Sequence, residues 1–142
     1  MTAPIEMGKF VGAPVRTQAF DGVLVSENTY TAGLRVAAHA HDAPLLSLVL
    51  QGTATEEVGS RTRELGAQSL IYTPSFETHG HRYLTAGRWL NIQFSARWFA
   101  RRRGRGRVAD RAAGRARWQR GQLGGAARRR APRAGWCVTV RR

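Results

Sequence analysis

Between Phe20 and Trp98 the apolar positions recur with the period of strands. Short runs rich in β-branched and aromatic residues alternate with turn residues. The runs are Val23-Leu24-Val25, Leu34-Arg35-Val36, Leu46-Ser47-Leu48-Val49-Leu50, Ser69-Leu70-Ile71-Tyr72 and Leu90-Asn91-Ile92-Gln93-Phe94. Asp21-Gly22, Gln51-Gly52, Gly59-Ser60, Pro74-Ser75 and Ala86-Gly87 punctuate them with turn chemistry. In a strand, Leu46, Leu48 and Leu50 share one face, and Ser47 and Val49 the other. No segment carries a sustained i, i+3, i+4 apolar stripe. Short connections without crossover helices require antiparallel pairing, so the pattern predicts an all-β sandwich or barrel. There is no internal repeat.

All four histidines lie in this part, as His39-Ala40-His41 and His79-Gly80-His81. Residues i and i+2 of a strand point to one face, so each pair presents two imidazoles side by side. If both pairs face inward, up to four imidazoles converge in a barrel mouth as a divalent-metal site. The alternative is that they hydrogen-bond to backbone or to each other, or face solvent.

The stretch Gly33-Leu-Arg-Val-Ala-Ala-His39-Ala-His41, followed by Gly52, resembles the first motif of the cupin superfamily. Gly66 through Pro74-Ser-Phe-Glu-Thr-His79 resembles the second. The resemblance implies a cupin-like double-stranded β-helix, a small antiparallel jelly-roll barrel, over residues 20–98. It further implies a tentative metal set of His39, His41 and His79, for Zn, Fe or Mn. Two departures stand out. The family's ligating glutamate falls at Leu45 or Leu46, and the glycine of the second motif is Phe76. Three neutral imidazoles still form a zinc or iron donor set, but a weakened one.

Phe20-Asp-Gly-Val-Leu-Val-Ser-Glu, Tyr30-Thr-Ala-Gly, His39-Ala-His41 and Leu48-Val-Leu-Gln-Gly52 look like the N-terminal sensory domain of AraC-family transcription regulators. Tyr72 through His79 and Ala86-Gly87-Arg88 fit the same pattern. In that family the barrel binds a small effector and mediates dimerisation, while separate helix-turn-helix units bind DNA. The resemblance implies a ligand-sensing module rather than a catalyst. Its pocket is expected from His39, His41, Tyr72, His79, His81 and Trp89. Tyr30 and Phe76 are further aromatic candidates, and Arg35 or Arg82 are candidate polar anchors. Glu56 and Glu57, just before the Gly59-Ser60 turn, read as solvated hairpin charges.

Charge divides the chain. The formal net charge is +14, and residues 1–98 balance eight basic against eight acidic side chains. The whole excess lies in residues 99–142, where fifteen Arg, nine Ala and seven Gly fill 31 of 44 positions with no Lys. No amphipathic face can be drawn there, so this tail is expected to be disordered. Three readings compete for it: an Arg-rich arm binding nucleic acid non-specifically, a solubilising tail, or an out-of-frame translation of a GC-rich gene. The absence of Lys beside fifteen Arg favours the last. On that reading the barrel is truncated and lacks the DNA-binding domain.

The expected organisation is thus an N-terminal arm over residues 1–19, a barrel over 20–98 and a tail over 99–142. No apolar run approaches the roughly 20 residues of a membrane-spanning helix. The N-terminus lacks a secretory pattern, and the single cysteine, Cys137, excludes an intramolecular disulfide. A cytoplasmic protein is expected. The alternatives to a sensor are a small stand-alone metal cupin acting as an isomerase or oxygenase, and non-specific nucleic-acid binding through the tail.

Overall fold

The computed structural model describes residues 3–103 and the backbone of residues 136–139. Nine strands precede a short helix: β1 (Ala13–Phe20), β2 (Val23–Tyr30), β3 (Arg35–His39), β4 (Leu45–Gln51), β5 (Ala54–Val58), β6 (Arg61–Leu65), β7 (Ser69–Thr73), β8 (His79–Tyr83) and β9 (Gly87–Phe94). Helix α1 (Ala96–Arg103) and strand β10 (Trp136–Thr139) follow. The predicted turns join these strands, and all pairings between named strands are antiparallel. One sheet has the order β1-β2-β9-β4-β7-β10 and the other β3-β8-β5-β6. This is the antiparallel all-β fold expected from the strand-period pattern, in the jelly-roll form that the resemblance implies.

The boundaries differ from those expected. Strand β1 occupies part of the segment assigned to an arm, because Ala13–Phe20 pairs along β2. Residues 99–103 fall in the tail expected to be disordered and instead continue α1, which starts at Ala96. Ser95 caps it, its Oγ accepting the Trp98 backbone N–H at 3.2 Å. Arg102 lies over the Trp98 ring at 4.5 Å. Strand β10 lies within the tail and pairs with β7, Trp136 opposite Tyr72. The expectations for residues 104–135 lie outside the described residues.

Between the sheets, Tyr30, Val49, Ala54, Leu65, Ile71, Tyr83 and Trp89 form the core. The Tyr30 and Tyr83 rings stack at 4.2 Å, with Trp89 edge-on to both. The inner faces of β2, β4 and β9 are otherwise polar: Ser26, Asn28, Ser47, Asn91 and Gln93 are all buried. Four of them bond to one another in a ladder, while Gln93 Nε2 has no partner among the described residues. Ser47 Oγ donates to Asn91 Oδ1 at 2.7 Å, and Asn91 Nδ2 donates to Asn28 Oδ1 at 3.2 Å. Ser26 Oγ donates to the same Asn28 oxygen at 2.8 Å.

Residues 5–10 close one end of the barrel. Ile5 bridges to His41, its N–H donating to Ala40 O at 2.7 Å, and the Asp42 N–H returns to Ile5 O at 3.1 Å. The Gly8 N–H donates to Gln93 Oε1 at 2.7 Å. Phe10 then lies with its ring 6.0 Å from that of His41.

Candidate metal centre

The two His-x-His segments come together because β3 and β8 are neighbours in the four-stranded sheet, with His39 opposite His79 and Val36 opposite His81. A register irregularity between Val36 and His39 carries the chain toward His41, which follows the strand. Ring centroids are 4.4 Å apart for His39 and His79, 5.1 Å for His39 and His41, and 5.4 Å for His41 and His79. One donor nitrogen from each of these three lies within 4.8 Å of the others. His81 is adjacent, 5.3 Å from His79 between centroids, but stands outside this donor set.

Backbone carbonyls set the tautomers. His39 Nδ1 is 2.9 Å from Ala37 O, and His79 Nδ1 is 3.0 Å from Glu77 O. A carbonyl only accepts, so each Nδ1 carries the proton and each Nε2 keeps its lone pair. Such second partners orient metal-ligating histidines in general. His41 Nδ1 is buried without a partner among the described residues. Burial, with His79 and His39 close by, pushes His41 down to about 3. Burial pushes His79 down to about 4, the proximity of His39 and Arg63 adding to it and the Glu77 carbonyl opposing it. His81 is driven well below its ordinary value, chiefly by burial. His41, His79 and His81 are therefore neutral at neutral pH, the form that binds a cation. Three converging nitrogen donors, two with pinned tautomers and one with an orphaned nitrogen, fit a divalent transition metal.

Alternation in β4 separates the two leucines at which the resemblance puts a carboxylate. Leu45 is buried, faces inward and lines the cavity beside the histidines, whereas Leu46 faces outward. This cavity, about 30 Å³, is lined in part by Phe10, Tyr30, His39, His41, His81 and Asn91. It has room for about one water-sized molecule.

Several candidate residues lie elsewhere. Trp89, by contrast, is buried in the cavity wall. Tyr72 alternates with the buried Ile71 and Thr73, so it lies half-buried on the outer face of β7, away from the cavity. Phe76 is 66% exposed and cannot form a pocket wall. Its backbone has φ of 62°, the left-handed region, which accounts for a glycine in the family motif there. Arg35 and Arg82 are exposed and opposite each other in register, so neither anchors a ligand in the barrel.

Glu56 reverses the expectation of a solvated charge. It is 1% exposed, accepts a hydrogen bond from Arg63 Nε, and has Oε1 3.5 Å from His81 Nε2. Burial pushes its carboxyl up, and Arg63 partly offsets this. The signal was present: a two-residue turn at Gly59-Ser60 puts Glu56 opposite Arg63, and Ala54 and Glu56 share a face. The polar ladder of Ser47 and Asn91 was also missed, since strict alternation does not say which face is inward.

No protein-family profile and no curated protein matches the sequence. Solved structures do. An RmlC-like cupin from Shewanella frigidimarina superposes with a TM-score of 0.52 at 22% identity, over 58% of this chain and 75% of that one. A cupin superfamily protein from Desulfitobacterium hafniense gives 0.51 at 20% identity, over 55% and 72%. KdgF from a Halomonas species gives 0.51 at 16%, over 54% and 73%. No helix among the described residues is long and apolar enough to cross a membrane. The two antiparallel sheets and these superpositions agree on one architecture: the chain has the cupin fold.

Proposed function

We propose that the barrel is a small-ligand-binding module that holds a divalent metal ion on His39, His41 and His79, and that it acts as the effector-sensing domain of an AraC-type regulator. The observation carrying the metal assignment is the convergence of three nitrogen donors within 4.8 Å, two of them oriented through Nδ1–H by backbone carbonyls. The metal, when bound, supplies a Lewis-acidic anchor for an oxygen or nitrogen atom of the ligand. Leu45 in place of a ligating carboxylate favours sensing over turnover. The sequence similarity of residues 20–33 and 48–52 to AraC sensory domains points the same way.

A stand-alone metal-dependent isomerase or oxygenase is the second reading. Buried Glu56 beside His81 favours it, because such a pair can hold and pass a proton next to the metal. Nucleic-acid binding through the tail concerns residues largely outside those described.

The test is metal analysis of the full chain, followed by a thermal-shift screen of small molecules on the loaded protein. Stoichiometric zinc, iron or manganese that is lost in His79→Ala supports the metal centre, and its absence overturns it. Stabilisation by a small molecule without turnover supports the sensor; turnover of that molecule supports the enzyme.

A further inference from the structure

The surroundings of the three-nitrogen set carry hydrogen-bond donors but no counter-charge for a cation. A divalent ion on His39, His41 and His79 meets three neutral imidazoles, which bring no negative charge. Leu45, 5% exposed, lines the cavity beside His39 and His41 with hydrocarbon. Among the described residues no carboxylate lines that cavity. Its polar side chains besides histidines are Tyr30, Tyr83, Ser47, Asn91 and Trp89, and every one carries a hydrogen-bond donor. Glu56 stands outside the lining, and Arg63 already answers its charge.

Gln93 is a second, independent observation. It stands opposite Leu45 in the register of β4 and β9, is 0% exposed, and uses its Oε1 to accept the Gly8 N–H. Its Nε2 has no partner among the described residues. An amide nitrogen only donates, so the group missing next to Leu45 is an acceptor.

We infer that the site takes a small anionic ligand, a carboxylate or an inorganic anion, on its Leu45 side. The inference rests on the metal assignment above and names the class of ligand. A buried dication without a counter-charge is costly, and its attraction for an anion is strongest where water is excluded. A carboxylate at position 45 would supply that charge from the chain itself. With leucine there, the charge has to arrive from solution. A neutral ligand leaves the imbalance in place, and a cationic one adds to it.

Cobalt(II) loaded on the full chain, freed of nucleic acid, reads the site, because anions held by arginines far from the ion leave its visible absorption unchanged. Acetate and azide are expected to shift that spectrum at millimolar concentrations or below. Acetamide, the neutral counterpart of acetate, is expected to bind at least about tenfold more weakly. This comparison uses the unsubstituted chain and so does not depend on how a variant folds. A response to acetate alone assigns a carboxylate ligand, and a response to azide alone an inorganic one. Leu45→Glu is expected to hold cobalt at least about tenfold more tightly and to lose the anion response. Leu46→Glu, on the outer face, is expected to change neither. A chain that does not load cobalt overturns the metal assignment and this inference together. A loaded chain that ignores both anions, takes acetamide as well as acetate, or keeps its anion response in Leu45→Glu overturns this inference alone.

Discussion

Glu56 Oε1 lies 3.5 Å from His81 Nε2 inside the barrel, and Arg63 holds the other carboxylate oxygen. This places a buried charge pair against the wall of the histidine site, on a strand whose sequence reads as exposed hairpin. Removing one partner leaves the other buried and unpaired, which costs more than the intact pair contributes. Glu56→Ala is therefore expected to destabilise the fold by about 2–4 kcal/mol, tempered because Arg63 keeps some access to water. Urea denaturation measures it, and a loss below about 0.5 kcal/mol would mean that Glu56 is solvated.

Metal binding should stabilise the folded chain by mass action. At a zinc concentration one hundred times the dissociation constant, the gain is about 2.7 kcal/mol. His39→Ala and His79→Ala are each expected to abolish the zinc-dependent rise in melting temperature. His81→Ala is expected to retain most of it, because His81 lies outside the three-nitrogen set. Equal losses in all three variants would place His81 among the ligands.

The metal-free protein should weaken in mild acid. His41 and His79 are held down to about 3 and about 4, against an ordinary 6.5. Between those values the unfolded chain binds protons that the folded chain excludes. Their contribution is fully present above pH 6.5, falls as the pH drops below it, and is lost through about pH 4 and then about pH 3. The slope is about 1.4 kcal/mol per pH unit for each histidine that charges only on unfolding. Denaturation midpoints measured from pH 7 downward in chelator give the slope directly; a flat profile contradicts the burial of neutral imidazoles.

Two backbone positions should respond in opposite directions. Phe76 adopts φ of 62° with its ring 66% exposed, so Phe76→Gly relieves a left-handed backbone while removing little buried surface. The expected gain is about 0.5–1 kcal/mol, with the Phe76 N–H bond to His41 O kept. Gly52 has φ of 91°, and an added Cβ would meet the Ala86 carbonyl and stand 2.7 Å from Gly87 Cα. Gly52→Ala is expected to cost more than about 2 kcal/mol. Thermal unfolding of the two variants distinguishes them by sign.

The sequence by itself determined the strand period over residues 20–98, the turns and the side-by-side placement of the histidines in each pair. These depend on alternation, on residues such as Gly52 that permit tight turns, and on i, i+2 geometry, all local along the chain. It also placed the boundary between a neutral segment and a basic one. What it could not determine was which face of each strand is inside, because alternation has two phases and both faces of β4 and β9 carry plausible residues. Only the packing of one sheet on the other turned Leu45, Ser47, Asn91 and Glu56 inward, and Leu46, Leu48 and Tyr72 outward. The same step brought His39 and His41 across to His79 while leaving His81 to Glu56. The physical reason is that convergence of side chains from separate strands depends on register and sheet stacking, which are set by contacts distant in the chain.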